Sequence, residues 1–139
     1  LAAIFDRVMD EVIGATDRVK DAGGNPTAQL TMLGVELLES ITHYPDHVWV
    51  SLHEFPALTG EHAARFRARR REYEAYVEAV LRAGVAAGEF RDVDPWLTAR
   101  AWLGMHNYTY LWLRPDGPLT ARDAAQPFAD LFISGITRR

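Results

Sequence analysis

The sequence contains no cysteine, which excludes disulfides, thiolate metal sites, a cysteine nucleophile and a zinc finger. Lysine is almost missing: Lys20 is the single one among 15 basic residues, an arginine bias that we read as the codon habit of a GC-rich bacterial genome, without functional weight. No excess of positive charge exists either. The net charge is -4, and a segment that holds nucleic acid by itself needs a basic surface. Any contact with DNA is therefore expected to come from another domain. Long apolar runs are lacking, since Leu97 to Leu113 is interrupted by Arg100, His106 and Asn107, and no positively charged leader is read ahead of an apolar segment. No membrane partner is expected, and the location expected is cytoplasmic. Nucleophile elbows, P-loops and Gly-x-Gly-x-x-Gly motifs are absent. His43 and His47 straddle Pro45, while His53, His62 and His106 show no paired helical spacing, so no metal site is expected. Glu36, Glu39 and Glu54 form no evident acid-base arrangement. We expect no catalytic residue, no cofactor and no enzyme activity.

What is present is a chain of 139 residues, 48% hydrophobic and 24% charged, the profile of one folded domain over residues 1–139. Leu1, Phe5, Val8, Met9, Val12 and Val19 recur on one helical face as far as Gly23-Gly24. Asn25-Pro26 supplies a cap and a proline start for a second helix with the stripe Leu30, Leu33, Leu37, Ile41 and Tyr44. A short helix from about Asp46 to Glu54 stops before Pro56, and Thr59 is placed to cap a long one to about Ala87. Asp94-Pro95 repeats the cap-plus-proline start for a helix to about Leu113. Thr120 and Asp123 make a capping box for a last helix reaching Ile136. No stretch alternates as a strand does. The reading is all-α, with six helices. The chain opens at Leu1 inside a helical pattern, from which we expect a further segment N-terminal to it.

The order of the pieces is more specific than any one of them. A helix with Arg70 and Tyr73 runs into Gly84-Val85-Ala86-Ala87-Gly88-Glu89-Phe90-Arg91. Asp94-Pro95, Gly104-Met105-His106-Asn107, Trp112 and Pro115-Asp116-Gly117-Pro118-Leu119-Thr120 follow, then Asp130-Leu131 with Gly135-Ile136. This series resembles the C-terminal ligand-binding domain of TetR-family transcriptional repressors, particularly the branch that responds to fatty-acyl or steroid-derived CoA thioesters. The motifs span roughly Arg70 to Ile136, and the helix order spans the whole chain. The resemblance implies that the last two helices pack against their copies as a four-helix dimer interface. It also implies that a small-molecule effector controls release of DNA, and that the DNA-reading helix-turn-helix, which has no counterpart in this sequence, lies in a separate N-terminal domain.

The helix from Asp94 is apolar nearly all round, and the last helix adds Ala121, Ala124, Phe128, Leu131, Phe132 and Gly135. Two such surfaces need covering, either inside the chain or by a second copy. We expect a two-fold homodimer through Ala101, Gly104, Tyr108, Phe128, Leu131, Phe132 and Gly135. Arg70 interrupts the core stripe Phe66, Tyr73, Val77, Val80 and Gly84, and a buried guanidinium needs an anion. That anion is either Glu54 or Glu36 from within the chain, or the acidic group of a ligand. Phe5, Met9, Trp49, Phe55, Tyr73, Tyr76, Trp102, Met105, Tyr110 and Trp112 are either core or the wall of a pocket. The resemblance implies the wall, and the candidate ligand-binding residues are Met9, Trp49, Arg70, Tyr73, Tyr76, Trp102, Met105, His106 and Asn107. A helical interaction module whose aromatic surface takes a partner helix is the alternative.

Overall fold

A computed structural model describes all residues from Leu1 to Arg139. The chain forms α1 (Ala2–Ala22), α2 (Pro26–His43), α3 (Pro45–His53), α4 (Gly60–Ala86), α5 (Pro95–Asn107) and α6 (Ala121–Ile136), with 3-10 turns at Phe55–Ala57 and Tyr108–Leu111. No helix is long and apolar enough to cross a membrane.

Local chemistry sets the helix ends. The Asn25 side chain accepts from Ala28 N–H at 2.8 Å, with Pro26 in the first turn, so both the orphan donors and the missing proline N–H are accommodated. Asp94 accepts from the N–H groups of Trp96 and Leu97. Thr120 and Asp123 cap each other reciprocally, and the Thr120 backbone N–H, then its hydroxyl partner, hold the Asp123 carboxyl below its ordinary range. Thr59 occupies the capping position of α4 without closing a side-chain bond. After α4 the chain turns at Gly88, with φ 78°, and Phe90 folds back so that its ring lies over Gly84. A Cβ at Gly84 would stand 2.1 Å from that ring, so only glycine fits there. Phe90 also pairs with Thr137 in an isolated antiparallel bridge.

The fifth helix is shorter than the sequence pattern predicts. Regular helix ends at Asn107 and tightens into 3-10 geometry over Tyr108–Leu111. The Thr109 hydroxyl donates to the His106 carbonyl at 2.6 Å, and such back-bonding three residues away tightens a helical turn.

α2 is the central helix, touching α1, α3, α4, α5 and α6, with α6 laid along it most extensively. Leu30, Leu33, Leu38, Val77, Leu81, Phe90 and Trp102 are almost fully buried around it. α5 presents Ala99, Trp102 and His106 inward. Its opposite side leaves Leu97 61% and Tyr108 62% exposed. α6 divides likewise. Ala121, Ala124 and Ala125 are buried and Phe128 and Phe132 half-buried, while Leu131 is 71% exposed and Gly135 lies beside it in the open.

Candidate ligand-binding site

The stripes of five helices converge above the closed core and leave a cavity of about 300 Å³, at the lower end of small-molecule sites. α1 contributes Val8, Met9 and Val12, and α2 contributes Leu37 and Ile41. α3 supplies Val48 and Leu52, α4 supplies Phe66 and Tyr73, and α5 supplies Leu103. Ser40 and Ser51 also line the wall. The Ser51 hydroxyl is satisfied by the Val48 carbonyl at 2.9 Å.

Four uncharged polar side chains that line the cavity make no side-chain hydrogen bond: the Ser40, Tyr44 and Tyr73 hydroxyls and the Asn107 amide. Every sealed side-chain polar atom in the molecule has a hydrogen-bond partner. None of these four groups is therefore sealed in the core. Burial pushes the Tyr73 phenol well up from its ordinary value, so it stays protonated and available as a donor. Charged residues sit at the rim: Arg7, Glu11, Arg70, Glu74 and Arg100. Arg7 lies 5.5 Å from the centre of the Tyr44 ring. A polar recess of about 270 Å³, bounded by Arg7, Asp10, Glu11, Arg18 and Tyr44, adjoins the cavity through shared residues.

Of the residues expected at the ligand, Met9, Arg70, Tyr73 and Asn107 come together on this wall. The other five lie elsewhere. Trp102 and His106 are sealed between α2 and α6, where His106 packs 4.2 Å from Trp102 and 5.4 Å from Phe128 between ring centres. The crevice beside them measures about 10 Å³, room for one water at most. His106 Nδ1 donates to the Trp102 carbonyl at 2.8 Å, since a carbonyl can only accept. Burial pushes its pKa down to about 4, leaving it neutral at pH 7. Trp49 is on the outer side of α3, stacked on His53 at 4.7 Å. Tyr76 points toward the α1–α2 junction, under Lys20 and 3.4 Å from Gln29. Met105 is half-buried on α5, off the cavity wall.

Arg70 corrects the sequence reading in a second way. Its side chain is 55% exposed and pairs with Glu74 at 3.1 Å, not with Glu54 or Glu36. The inward arginine is its neighbour Arg69, 19% exposed, which binds Asp10 at 2.6 Å and Asp6 at 3.8 Å. One residue on a helix is a rotation of about 100°, enough to exchange their places. The wall residues not foreseen from the sequence are Leu37, Ile41 and Phe66, already visible as stripe positions, together with Leu103, Glu74 and Arg100. For the last two a signal existed: Glu74 and Glu78 lie one turn apart on α4, and Arg100 stands one turn after Trp96.

The chain matches a family model described as Tetracyclin repressor-like, C-terminal domain, over residues 23–136. It is 28% identical over 132 residues to the HTH-type transcriptional repressor KstR2 of Mycolicibacterium smegmatis, covering 94% of this chain and 64% of that protein. The KstR2 of Mycobacterium tuberculosis is 29% identical over 125 residues, covering 86% of this chain and 61% of its own length. The chain thus spans under two thirds of the length of these curated relatives. Among solved structures, the ketosteroid transcriptional regulator KstR2 of Mycobacterium tuberculosis superposes with a TM-score of 0.88 at 26% identity, over 95% of this chain and 68% of that one. AibR, solved in complex with isovaleryl coenzyme A and operator DNA, gives 0.78 at 30% identity, over 98% and 72%.

Proposed function

The chain belongs to the family of tetracycline-repressor-like C-terminal domains, and from that premise we propose that it is the effector-sensing and dimerising domain of a transcriptional repressor. Its effector is an apolar small molecule with an acidic or CoA-like head. The observation that carries this reading is a cavity with apolar walls that holds unpartnered polar groups, Tyr73 and Asn107 among them, and a charged rim. Apolar burial supplies affinity at roughly 25 cal/mol per Å² removed from water. Free hydrogen-bonding groups such as the Tyr73 hydroxyl and the Asn107 amide fix the orientation of a carbonyl or hydroxyl. The relative AibR, solved with isovaleryl coenzyme A and operator DNA, supports a thioester-like class.

Signalling follows from where the cavity lies. Its α1 wall is tied to α4 by Arg65–Asp6 at 3.1 Å and Arg69–Asp10 at 2.6 Å, so a ligand that wedges between these helices moves α1 against those ties. In the intact repressor the shift alters the separation of two DNA-reading heads, which must match the half-site spacing. The ligand acts only through its differential affinity for the two dimer states. Dimerisation uses the outward face of α5 and α6. There Leu97, Tyr108 and Leu131 are more than half exposed, and a Cβ at Gly104 or Gly135 would meet nothing, leaving room for a second backbone to approach.

Native mass spectrometry of the purified chain tests both halves. A dimer carrying an added small-molecule mass is the expected result, with Tyr108→Arg reducing it to a monomer. A bare monomer in the unsubstituted protein would overturn the interface and favour a module that takes a partner helix.

A further inference from the structure

Each carboxylate oxygen of Glu74 is held by a different arginine. Oε1 accepts from Arg70 Nε at 3.1 Å, and Oε2 from a terminal nitrogen of Arg100, also at 3.1 Å. Arg70 lies one turn before Glu74 on α4 and Arg100 comes from α5, so one carboxylate bridges two helices at the cavity wall that all three residues line. Arg100 is placed independently of Glu74. It donates to the Trp96 carbonyl at 2.9 Å and to Glu78 at 3.4 Å, and its guanidinium lies 3.9 Å from the centre of the Trp96 ring. Arg70 bonds Glu74 through Nε, leaving its terminal nitrogens without a protein acceptor. Two guanidiniums, one pre-positioned and one half-used, with a single carboxylate between them, form a seat that an incoming carboxylate or phosphate could fill.

We propose that Glu74 is a resident counter-ion occupying the seat of the ligand's anionic group, and that it decides which amphiphiles the cavity admits. A head group that carries negative charge takes over Arg70 and Arg100 and drives Glu74 out. A neutral head has no charge to offer them and leaves the bridge intact. Like charges cannot share the seat, so Glu74 sets a threshold against weak anions. This rests on the cavity being the effector site.

The test uses the 139-residue chain and three probes with one tail length: decanoate, decyl phosphate and 1-decanol, each titrated calorimetrically. Glu74→Gln removes the competing charge while keeping its shape. Glu78→Gln makes the same charge change at a residue that touches Arg100 but does not line the cavity. Glu74→Gln is expected to tighten the anionic probes by about tenfold or more, with 1-decanol changing by less than about twofold. Glu78→Gln is expected to change all three by less than about threefold. A gain for decanoate alone identifies a planar carboxylate as the displacing group, and a gain for decyl phosphate alone identifies a phosphate. An unchanged ratio of anion to alcohol in Glu74→Gln, or an equal effect of Glu78→Gln, overturns the proposal. If no probe binds any form, the effector reading falls and takes this one with it. Binding of all three with a fixed ratio removes this one alone. Should Glu74→Gln not fold, Glu74→Ala removes the same charge, and the same selective gain for anions is expected of it.

Discussion

At one end of the bundle α2 presents Leu30 and Leu33 to side chains that close on them completely; one turn further along, the same helix presents Leu37 and Ile41 to an open cavity. The apolar stripe is continuous, so its hydrophobicity does not distinguish the two ends. The partners do. At the closed end large groups meet glycine: His106 Nε2 lies 3.0 Å from where a Gly34 Cβ would stand, and the Phe90 ring covers Gly84. At the open end the wall includes Ser40 and Ser51, and the cover is α3, nine residues long. Close packing needs complementary volumes rather than apolar residues alone. Where complementarity lapses between five helices, a site is left.

The sharpest break in this comparison is a pair of identical deletions one turn apart. Leu33→Ala, in the sealed core, is expected to lower stability by about 4 kcal/mol, because the surroundings cannot collapse onto the void. Leu37→Ala enlarges space that already exists and is expected to lose only about 2 kcal/mol, mainly the transfer term. Urea unfolding with unchanged m-values measures both. Equal losses would mean that the two ends are packed alike.

The second test acts on the closed end through pH. The folded state holds His106 with its pKa pushed down to about 4 from 6.5, so below pH 6.5 the unfolded chain binds a proton that the folded chain refuses. Stability contributed by the neutral imidazole is complete above pH 6.5 and is lost as pH falls to about 4, by up to about 3 kcal/mol. His106→Leu should flatten that window relative to the unsubstituted protein. Parallel pH profiles would show that His106 is solvated in the folded state.

The sequence made much of the fold legible and less of the site, for one physical reason. Caps such as Asn25-Pro26, Asp94-Pro95 and Thr120 with Asp123 act over three or four residues, and all three close the bonds their spacing predicts. The inward position of Leu37 and Tyr73 follows equally from period. Whether an inward residue meets another side chain or empty space depends on helices distant in the chain, and periodicity carries no information on that. Trp102 and His106, expected at the ligand, therefore fill the core, while Ile41, expected only as a stripe position, also lines the cavity. Arg70 keeps its place on a stripe whose other members Phe66, Tyr73, Val77, Val80 and Gly84 are buried, but its long side chain carries the charge out to Glu74 at the rim.

The smallest expected effect compares two hydroxyls. Thr109, fully buried, donates to the His106 carbonyl at 2.6 Å, whereas the Tyr73 hydroxyl faces the cavity with no protein partner. Thr109→Val keeps the shape and removes a bond, and should lower stability by about 1 kcal/mol, the usual net worth of a satisfied hydrogen bond. Tyr73→Phe removes a donor that binds nothing in the folded chain and should change stability by less than about 0.5 kcal/mol. Thermal unfolding of both variants reads the difference. If Tyr73→Phe matched the loss at Thr109, the hydroxyl would be bonded to ordered water, and a ligand would have to displace that water before using the group. A near-zero change instead leaves Tyr73 as a donor held ready inside an apolar wall, desolvated by the fold before any ligand arrives.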